Sequence, residues 1–195
     1  MKIVAIRAHP LHDSYNAALF DLALRALRGA GHTVTPFDLY DDGFDPRLGA
    51  QERRDYHDAA LRPPEDVMPY VEALRSHDAL LFVYPTWCFG LPAILKGWLE
   101  RVFRPGVAFS IDGAVVKPLF GHIRRIGAIA TYGRPRWMVW YVGDLPRRSI
   151  CRYVRWFCAR GTKVTYLAHY HMNASTEQSR ERFNRRVERA LAGWA

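Results

Sequence analysis

One segment constrains the fold of this chain more than any other. The uninterrupted apolar run Ala79–Tyr84 leads directly into Pro85–Pro92, which contains two prolines, a glycine, a tryptophan and a phenylalanine. An apolar run without polar alternation is typical of a central parallel strand that is buried on both faces. Flat ligands bind beyond the carboxyl ends of such strands. We therefore interpret Pro85–Pro92 as an aromatic-lined ligand loop, because a plain turn rarely needs both a stiff backbone and two rings.

Strand and helix patterns alternate along the rest of the chain, with a predicted hairpin around Asp112-Gly113 as the main exception. The predicted strands are 2–8, 32–39, 79–84, 123–131 and 162–169. The predicted helices are 15–30, 51–61, 65–77, 93–103 and 137–159, the last with a break near 143–146. A final helix is predicted from a Ser175 cap to about Ala192.

This order of elements predicts an α/β fold in which a five-stranded parallel sheet carries helices on both faces. Such sheets most often have the strand order 2-1-3-4-5 of flavodoxin-like folds, with the ligand over the carboxyl ends of the first and third strands. No internal repeat or domain boundary is evident, so we expect residues 1–195 to form a single domain.

Composition excludes several classes of protein. Hydrophobic residues make up 49% of the 195 residues, which is enough for one substantial core. No charge-free apolar run approaches the roughly 20 residues of a membrane helix, and the N-terminal apolar stretch is too short for a signal peptide. Cys88, Cys151 and Cys158 form no CxxC pair, which argues against a disulfide framework. We therefore expect a cytoplasmic protein that is not an integral membrane protein.

The net charge of +9 is concentrated in the second part of the chain. Residues 122–195 contain 15 Lys or Arg and 4 Asp or Glu, whereas residues 1–121 contain 13 and 15. This asymmetry favours an anionic partner, either a phosphorylated small ligand or a membrane surface, and a solvated basic surface explains it as well. No nucleic-acid recognition motif accompanies the charge, so we expect no nucleic-acid binding.

Three loops are predicted to meet at the carboxyl edge of the sheet. Ser14-Tyr15-Asn16 opens a helix, where free N–H groups and the helix dipole attract a phosphate, and His9 adds a donor. Gly133 lets the backbone approach the edge of a ring closely. A phosphate site, an aromatic bed and a close backbone approach together describe a flat, phosphate-bearing cofactor, of which a flavin is the obvious candidate. The loops are 9–16, 85–91 and 131–137.

Other site motifs are weak or absent. There is no GxGxxG fingerprint after the first strand, no P-loop lysine motif and no GxSxG nucleophile elbow. His169 and His171 share strand-like spacing, but no cysteine or carboxylate cluster accompanies them. We interpret His9 as a phosphate-site residue and His12 as an exposed one, and we predict no metal site.

At these residues the chain resembles the NAD(P)H:quinone oxidoreductase family. That family includes mammalian quinone reductases, bacterial modulators of drug activity and ancillary subunits of potassium-efflux systems. The segment Phe89–Val102, FGLPAILKGWLERV, looks very like the family's signature. Further matching segments are Ala8–Pro10, Ser14–Asn16, Asp38–Tyr40, Phe44–Pro46, Phe109 and Thr131–Gly133.

The resemblance implies a noncovalently bound FAD or FMN and a homodimer. In such a dimer the apolar face of the predicted helix 93–103 is interface as well as core, and burial in the core alone is the alternative. It also implies two-electron reduction of quinones, or related aromatic acceptors, by NAD(P)H, with hydride passing through flavin N5 in a ping-pong cycle. The basic second half of the chain favours NADPH over NADH. Because ancillary subunits share the motifs, a regulatory flavoprotein that binds a membrane ion-efflux system stays an alternative.

Roles for individual residues also follow from the resemblance. By position, the phosphates of the cofactor would be held by His9, Ser14, Tyr15 and Asn16, and its ring by Pro85, Thr86, Trp87, Cys88 and Phe89, with Thr131, Tyr132 and Gly133 at its far edge.

Two departures from the family pattern affect the substrate side of the site. Many relatives have a glutamine-tryptophan or tryptophan-tryptophan pair where this chain has Trp87-Cys88, and the smaller thiol would widen the substrate cavity. The family's tyrosine and histidine after the glycine loop are also missing, and Met138 and Asp144 fall near their positions. We therefore take Tyr132 and Arg136 as candidate catalytic residues that stabilise negative charge on reduced flavin or quinone.

Overall fold

The computed structural model describes residues 1–58 and 61–194. A five-stranded parallel sheet and a separate two-stranded hairpin account for the strands of this part of the chain. The main sheet contains β1 (Lys2–Arg7), β2 (Thr33–Asp38), β3 (Ala79–Thr86), β6 (Arg125–Tyr132) and β7 (Lys163–His169), and the hairpin is β4 (Phe109–Asp112) with β5 (Val115–Pro118).

The strand order of the main sheet is β2-β1-β3-β6-β7, and all four neighbouring pairs are parallel. Counted within the main sheet alone, this is the predicted order 2-1-3-4-5, which is confirmed. The helices are α1 (Tyr15–Gly29), α2 (Ala50–Asp55), α3 (Met68–Ser76), α4 (Ala93–Val102), α5 (Arg136–Tyr141), α6 (Leu145–Arg148) and α7 (Glu177–Ala192), with a π-helix at Ser149–Val154 and a 3-10 turn at Met172–Ala174.

The sheet separates two hydrophobic cores. On one face, α1 and α7 bury residues such as Leu27 and Val187 against the strands. On the other face, α3, α4 and the π-helix bury residues such as Val71, Trp98 and Val154. The prediction of helices on both faces is therefore confirmed, and the central strand β3 is buried on both sides because it lies between the two cores.

Strand β3 runs two residues further than predicted, through Pro85 to Thr86. Pro85 pairs in register with Thr131 of β6. On the other side, the register with β1 ends at Val83, whose carbonyl accepts a hydrogen bond of 3.1 Å from the N–H of Ala8. The missing N–H of the proline thus lies beyond the last paired residue of β1, where the ladder needs no donor.

The apolar face of α4 lies in the core of this chain. Trp98 is fully buried and its ring packs against those of Tyr70 and Phe82. Gly97 faces the segment after β2 so closely that a Cβ atom there would lie 2.2 Å from the carbonyl oxygen of Pro46. The sequence alone did not decide whether this face of α4 belongs to the core or to an interface. The structure places it in the core of the chain.

Several predicted helix boundaries were wrong. Helix α3 begins at Met68 and not at residue 65, with a proline in its first turn. The cap of α7 is Thr176 and not Ser175: the Thr176 side chain accepts from the N–H of Ser179, and the Ser179 hydroxyl reciprocates, as in a capping box. The helix predicted over 51–61 ends at Asp55, and its residues 59 and 60 lie outside the described residues.

The segment predicted as an interrupted helix over 137–159 consists of α5, α6 and the π-helix. The break is at Gly143 and Asp144, whose φ angles are +96° and +45°. A left-handed glycine ends a helix without steric cost. The left-handed backbone of the aspartate costs about 1 kcal/mol or more in strain. The break brings Asp144 to the end of β6, where its carboxylate accepts a hydrogen bond from the hydroxyl of Tyr132.

Candidate functional site

The structure brings the three predicted loops together at the carboxyl ends of β1, β3 and β6. The Asn16 side-chain nitrogen donates to the Thr131 hydroxyl at 2.8 Å. The Thr86 hydroxyl donates to the Thr131 carbonyl at 3.1 Å. The imidazole of His9 contacts the indole of Trp87, with 5.9 Å between ring centroids. Residues from all three loops are therefore held in one cluster by specific contacts.

Ser14 caps α1 and leaves two N–H groups for a ligand. Its hydroxyl oxygen accepts from the N–H of Ala17 at 3.1 Å, and its carbonyl accepts from Ala18. The N–H groups of Tyr15 and Asn16 donate to no other residue within 1–58 and 61–194. They point out of the N-terminus of a 15-residue helix, whose dipole favours an anion.

The ring of His9 has a defined orientation. Its Nδ1 accepts a hydrogen bond of 3.1 Å from the N–H of Leu11, so in the neutral ring the proton is on Nε2, which is a donor. Burial lowers the pKa of His9, and the nearby Arg7 lowers it further. At neutral pH, His9 is therefore an uncharged donor at the edge of the cluster.

Tyr15 and Asn16 direct their side chains differently. The Tyr15 hydroxyl donates to the Asn184 side chain at 2.8 Å and the ring lies edge-on to His169, so the side chain anchors α7 and only the backbone remains at the loops. The Asn16 side chain is buried, and its Oδ1 has no hydrogen-bond partner in the described part of the chain. An unpaired buried acceptor of this kind needs a donor from a ligand or water.

The loop after β3 is a two-residue hairpin turn. Trp87 and Gly90 exchange backbone hydrogen bonds of 3.2 and 2.8 Å. The residues between them, Cys88 and Phe89, both have left-handed backbones with φ of +49° and +59°. This is the pattern of a type I′ turn, which glycine and asparagine usually supply. Two non-glycine residues there store strain, which is typical of functional sites.

A cavity of about 400 Å³ lies between this turn and the end of β6. Trp87 lies at the edge of this cavity and is 42% exposed, so part of its indole is open to a ligand. Gly133 forms part of the opposite wall, where a Cβ atom would lie 3.1 Å from the side-chain oxygen of Asn173. The cavity is lined by Thr86, Trp87, Cys88, Phe89, Tyr132, Gly133, Arg134 and Val139.

The two candidate catalytic residues lie in different places. Tyr132 lines the cavity, but it is only 1% exposed and its hydroxyl donates to Asp144 Oδ1 at 2.7 Å. Burial raises the pKa of Tyr132 far above that of free tyrosine, so the phenol stays protonated. Arg136 is exposed and lines a second, neighbouring cavity. The arginine that lines the first cavity is Arg134, which the sequence reasoning did not single out.

Sequence reasoning also missed a buried chain of hydroxyl groups behind the cavity. The Tyr166 hydroxyl contacts those of Tyr132 and Tyr84, the latter at 3.2 Å. Burial raises the pKa of Tyr166 and Tyr84 as well. The signal in the sequence is one tyrosine in each of three strands, Tyr84 in β3, Tyr132 in β6 and Tyr166 in β7, and it gained meaning once the strand order was known.

One group of side chains has the composition of a metal site. Ligand atoms of His12, Asp38 and Asp41 lie within 4.8 Å of one another. The guanidinium of Arg7 pairs with Asp38 and also contacts His12 Nδ1 at 3.1 Å. An arginine inside the cluster already supplies the positive charge, so the geometry favours an ion-pair network over a cation site.

A cleft formed by three loops at the carboxyl edge of a 2-1-3-4-5 parallel sheet defines a flavodoxin-like protein. The model of the family described as having a flavodoxin-like fold matches residues 1–194, so the chain belongs to this family. Among residues 1–58 and 61–194, no helix combines the length and the hydropathy that a transmembrane span needs.

The chain is similar to proteins named as NAD(P)H oxidoreductases. It is 33% identical over 112 residues to the Escherichia coli protein named uncharacterized NAD(P)H oxidoreductase YcaK, and the match covers 57% of each chain. It is 31% identical over 149 residues to NAD(P)H dehydrogenase (quinone) 1 of Cavia porcellus, over 68% of this chain and 54% of that protein. The chain thus spans about half the length of these curated relatives.

A solved structure matches over the full length. The NAD(P)H:quinone oxidoreductase from Methanothermobacter marburgensis has a TM-score of 0.87 at 27% identity, over 100% of this chain and 99% of that one. Together with the curated relatives, this match confirms the resemblance to NAD(P)H:quinone oxidoreductases that the segment Phe89–Val102 indicated.

Proposed function

We propose that this chain is a flavin-dependent oxidoreductase, built as a single domain, that reduces quinones or related aromatic acceptors with NAD(P)H. The observation that carries the proposal is that Thr131 bonds both Asn16, in the first turn of α1, and Thr86, on the wall of the cavity beside Trp87, so the cavity and the open helix N-terminus lie at the same edge of the sheet. A flat ring and a phosphate on one ligand can occupy both at once. The names of the relatives support the same activity.

The residues at the site fit a flavin. The main chain of the Trp87–Gly90 turn offers a flat bed for the ring, and the N–H groups of Tyr15 and Asn16 offer donors for the phosphate. The unpaired Oδ1 of Asn16 offers an acceptor for a hydroxyl of the ribityl chain. Because both FAD and FMN contain these parts, the fit supports either cofactor.

A bound flavin would supply the hydride-accepting ring, and the protein would bind, orient and shield it. Tyr132 cannot act as a base at neutral pH, because its phenol is protonated and donates to Asp144. Arg134 places a positive charge on the cavity wall, where it stabilises negative charge on a reduced ring or acceptor. Arg136 adds positive charge from the neighbouring cavity and remains a predicted catalytic residue.

We further propose a homodimer that uses the face formed by the β4–β5 hairpin and the π-helix. The Phe157 carbonyl accepts from the N–H of Phe120, and the rings of Phe157 and Phe109 pack together, so both elements lie on one side. Clustered exposed apolar side chains on a soluble domain mark an interaction surface. The exposed apolar residues of these two elements and the segments that follow them are Ile111, Val115, Val116, Leu119, Tyr153 and Trp156.

A cytoplasmic location is part of the proposal. All three cysteines are free thiols, including Cys158, which is buried. Free thiols are typical of proteins in reducing compartments. This agrees with a supply of reduced nicotinamide nucleotide as electron donor.

The test is to purify the protein, identify any released flavin by mass and spectrum, and measure NAD(P)H oxidation with a water-soluble benzoquinone. We expect a yellow protein whose turnover exceeds that of the same concentration of free flavin. A colourless protein that takes up no added FAD or FMN would overturn the proposal. A flavin-loaded protein without turnover would instead favour the regulatory subunit of a membrane ion-efflux system.

A further inference from the structure

A second cavity, of about 550 Å³, lies beside the flavin cavity and is surrounded by arginines. It is larger than the first and is formed by α5, the break after it, α6 and the π-helix. None of the proposed flavin contacts is among its lining residues. These are Arg136, Trp140, Gly143, Asp144, Arg147, Arg148, Cys151, Arg152 and Tyr170.

Within the described residues, the four arginines of this cavity face one carboxylate on its wall, so positive charge is in excess there. Salt bridges found in the described residues involve none of Arg136, Arg147, Arg148 or Arg152. The single carboxylate on the wall, that of Asp144, accepts the Tyr132 hydroxyl. Four arginines around one concave space therefore create a field that favours a multiply charged anion.

The two cavities share a wall. Tyr132 lines the first cavity and donates to Asp144, which lines the second. The ring of Tyr170, on the wall of the second cavity, lies 4.7 Å from that of Tyr132 at an interplanar angle of 30°. A ligand whose one end reaches the flavin ring can therefore place its other end among the arginines.

The chemistry of the wall fits a phosphorylated nucleoside. Guanidinium groups bind phosphate oxygens in bidentate fashion and remain charged at every physiological pH. Trp140 is 79% exposed at the edge of the cavity, where its indole offers a stacking surface for an aromatic base. An arginine cluster next to an exposed indole matches the charge and the aromatic base of a purine nucleotide with an extra phosphate.

We propose that this arginine cavity binds the adenosine 2′-phosphate end of NADPH and makes the protein selective for NADPH over NADH. The inference rests on the proposed function, because it assigns a site to the electron donor of that reaction. It assigns recognition of the 2′-phosphate to Arg147, Arg148 and Arg152, and stacking of the adenine to Trp140.

The first experiment measures binding without turnover. The protein is first saturated with the flavin that it retains. Isothermal titration calorimetry then compares its affinity for adenosine 2′,5′-bisphosphate with its affinities for ADP and for inorganic phosphate. We expect the 2′,5′-bisphosphate to bind about ten-fold more tightly than ADP, because it adds charge-assisted hydrogen bonds. Equal affinities for the two nucleotides overturn the proposal, and inorganic phosphate binding as tightly as the bisphosphate also overturns it in favour of a general anion site.

The second experiment uses the double variant Arg148→Ala/Arg152→Ala with Arg155→Ala as the matched control. Arg155 is exposed near Arg152 but does not line the cavity. We expect the double variant to raise KM for NADPH about ten-fold while KM for NADH and both kcat values change less than about two-fold. The control should leave all four values unchanged. Equal changes for both donors in the double variant contradict the assignment.

The two proposals fail in different ways. Absence of turnover with either donor defeats the oxidoreductase proposal, while the titration still decides whether the cavity recognises a 2′-phosphate. Turnover at equal efficiency with NADPH and NADH leaves the oxidoreductase proposal standing and defeats this one.

Discussion

The side-chain nitrogen of Asn16 lies 2.8 Å from the hydroxyl oxygen of Thr131, so one hydrogen bond joins the start of α1 to the end of β6. Asn16→Asp removes this donor and places a carboxylate beside the N–H groups proposed to bind the flavin phosphate. Like-charge repulsion and the lost donor should weaken flavin binding about ten-fold, equivalent to about 1.4 kcal/mol. Fluorescence titration of flavin-free protein measures the change.

Gln51→Glu is the control for this substitution, because it makes the same amide-to-carboxylate change on an exposed residue of α2. It should leave flavin affinity unchanged. If Asn16→Asp binds flavin as tightly as the control, the phosphate lies elsewhere.

The close approach of α4 to Pro46 predicts a large effect of a single methyl group. Gly97→Ala would place a Cβ atom 2.2 Å from the Pro46 carbonyl oxygen, so the helix must move away from that segment. We expect a loss of about 2 kcal/mol or more in the free energy of unfolding. Gly29→Ala, in α1 with no atom within 4 Å of the new Cβ, should instead stabilise by up to about 1 kcal/mol. Urea unfolding of both variants checks the contrast, which equal midpoints would refute.

The left-handed backbone at Cys88 predicts opposite effects of two substitutions. Cys88→Gly removes the steric strain at φ of +49° and should raise the free energy of unfolding by about 1 kcal/mol. Cys88→Val introduces a β-branched side chain that tolerates this conformation poorly, and it should lower stability by a similar amount. Thermal unfolding distinguishes the two variants, and shifts of the same sign would show that the turn is not strained.

Buried histidines predict that stability falls on mild acidification. Burial lowers the pKa of His169, whose ring lies against Phe183 and Tyr15. The unfolded chain therefore binds a proton more readily, so stability is fully present above about pH 6.5 and is lost as the pH falls toward the lower folded pKa. Urea midpoints at pH 7.5 and 5.5 measure the loss, and His169→Gln should reduce it. A pH dependence identical in the variant would assign the effect to other groups.

The exposed face around the π-helix predicts a site for disrupting the homodimer. Trp156 is 52% exposed in the free chain, and Trp156→Glu would put a charge in the proposed interface. Sedimentation equilibrium should show a dimer for the unaltered protein and a mostly monomeric variant. Leu61→Glu, at an exposed apolar residue outside this face, should remain dimeric. Dimers of equal affinity in both variants would place the interface elsewhere.

The sheet could be predicted because its strands are short segments rich in apolar and β-branched residues, and parallel pairing follows from the helices between them. The exact ends of individual helices depend on small differences between neighbouring residues. Thr176 caps α7 in place of Ser175, since both residues can cap and only the reciprocal bond to Ser179 decides between them. Sequence patterns do not register such a one-residue choice.

The loops of the site were foreseeable, but the direction of individual side chains was not. Tyr15 follows the cap of α1, yet its hydroxyl turns away from the loops to Asn184, which is 169 residues distant in the chain. Asp144 bonds Tyr132 only because the break after α5 folds that segment back over β6. Contacts of this kind depend on tertiary geometry, which periodicity does not contain.

The hydrogen-bonded turn between Trp87 and Gly90 has a consequence for how this protein can diversify. Its path is set by backbone bonds at the two ends, while the side chains of Cys88 and Phe89 face the cavity and take no part in those bonds. Substitutions at these two positions can therefore change the shape of the cavity for a new electron acceptor. The backbone of the turn, on which we propose the flavin ring lies, would keep its position. Insertion of even one residue would break the pairing, so we expect evolution here to proceed by substitution and to conserve loop length.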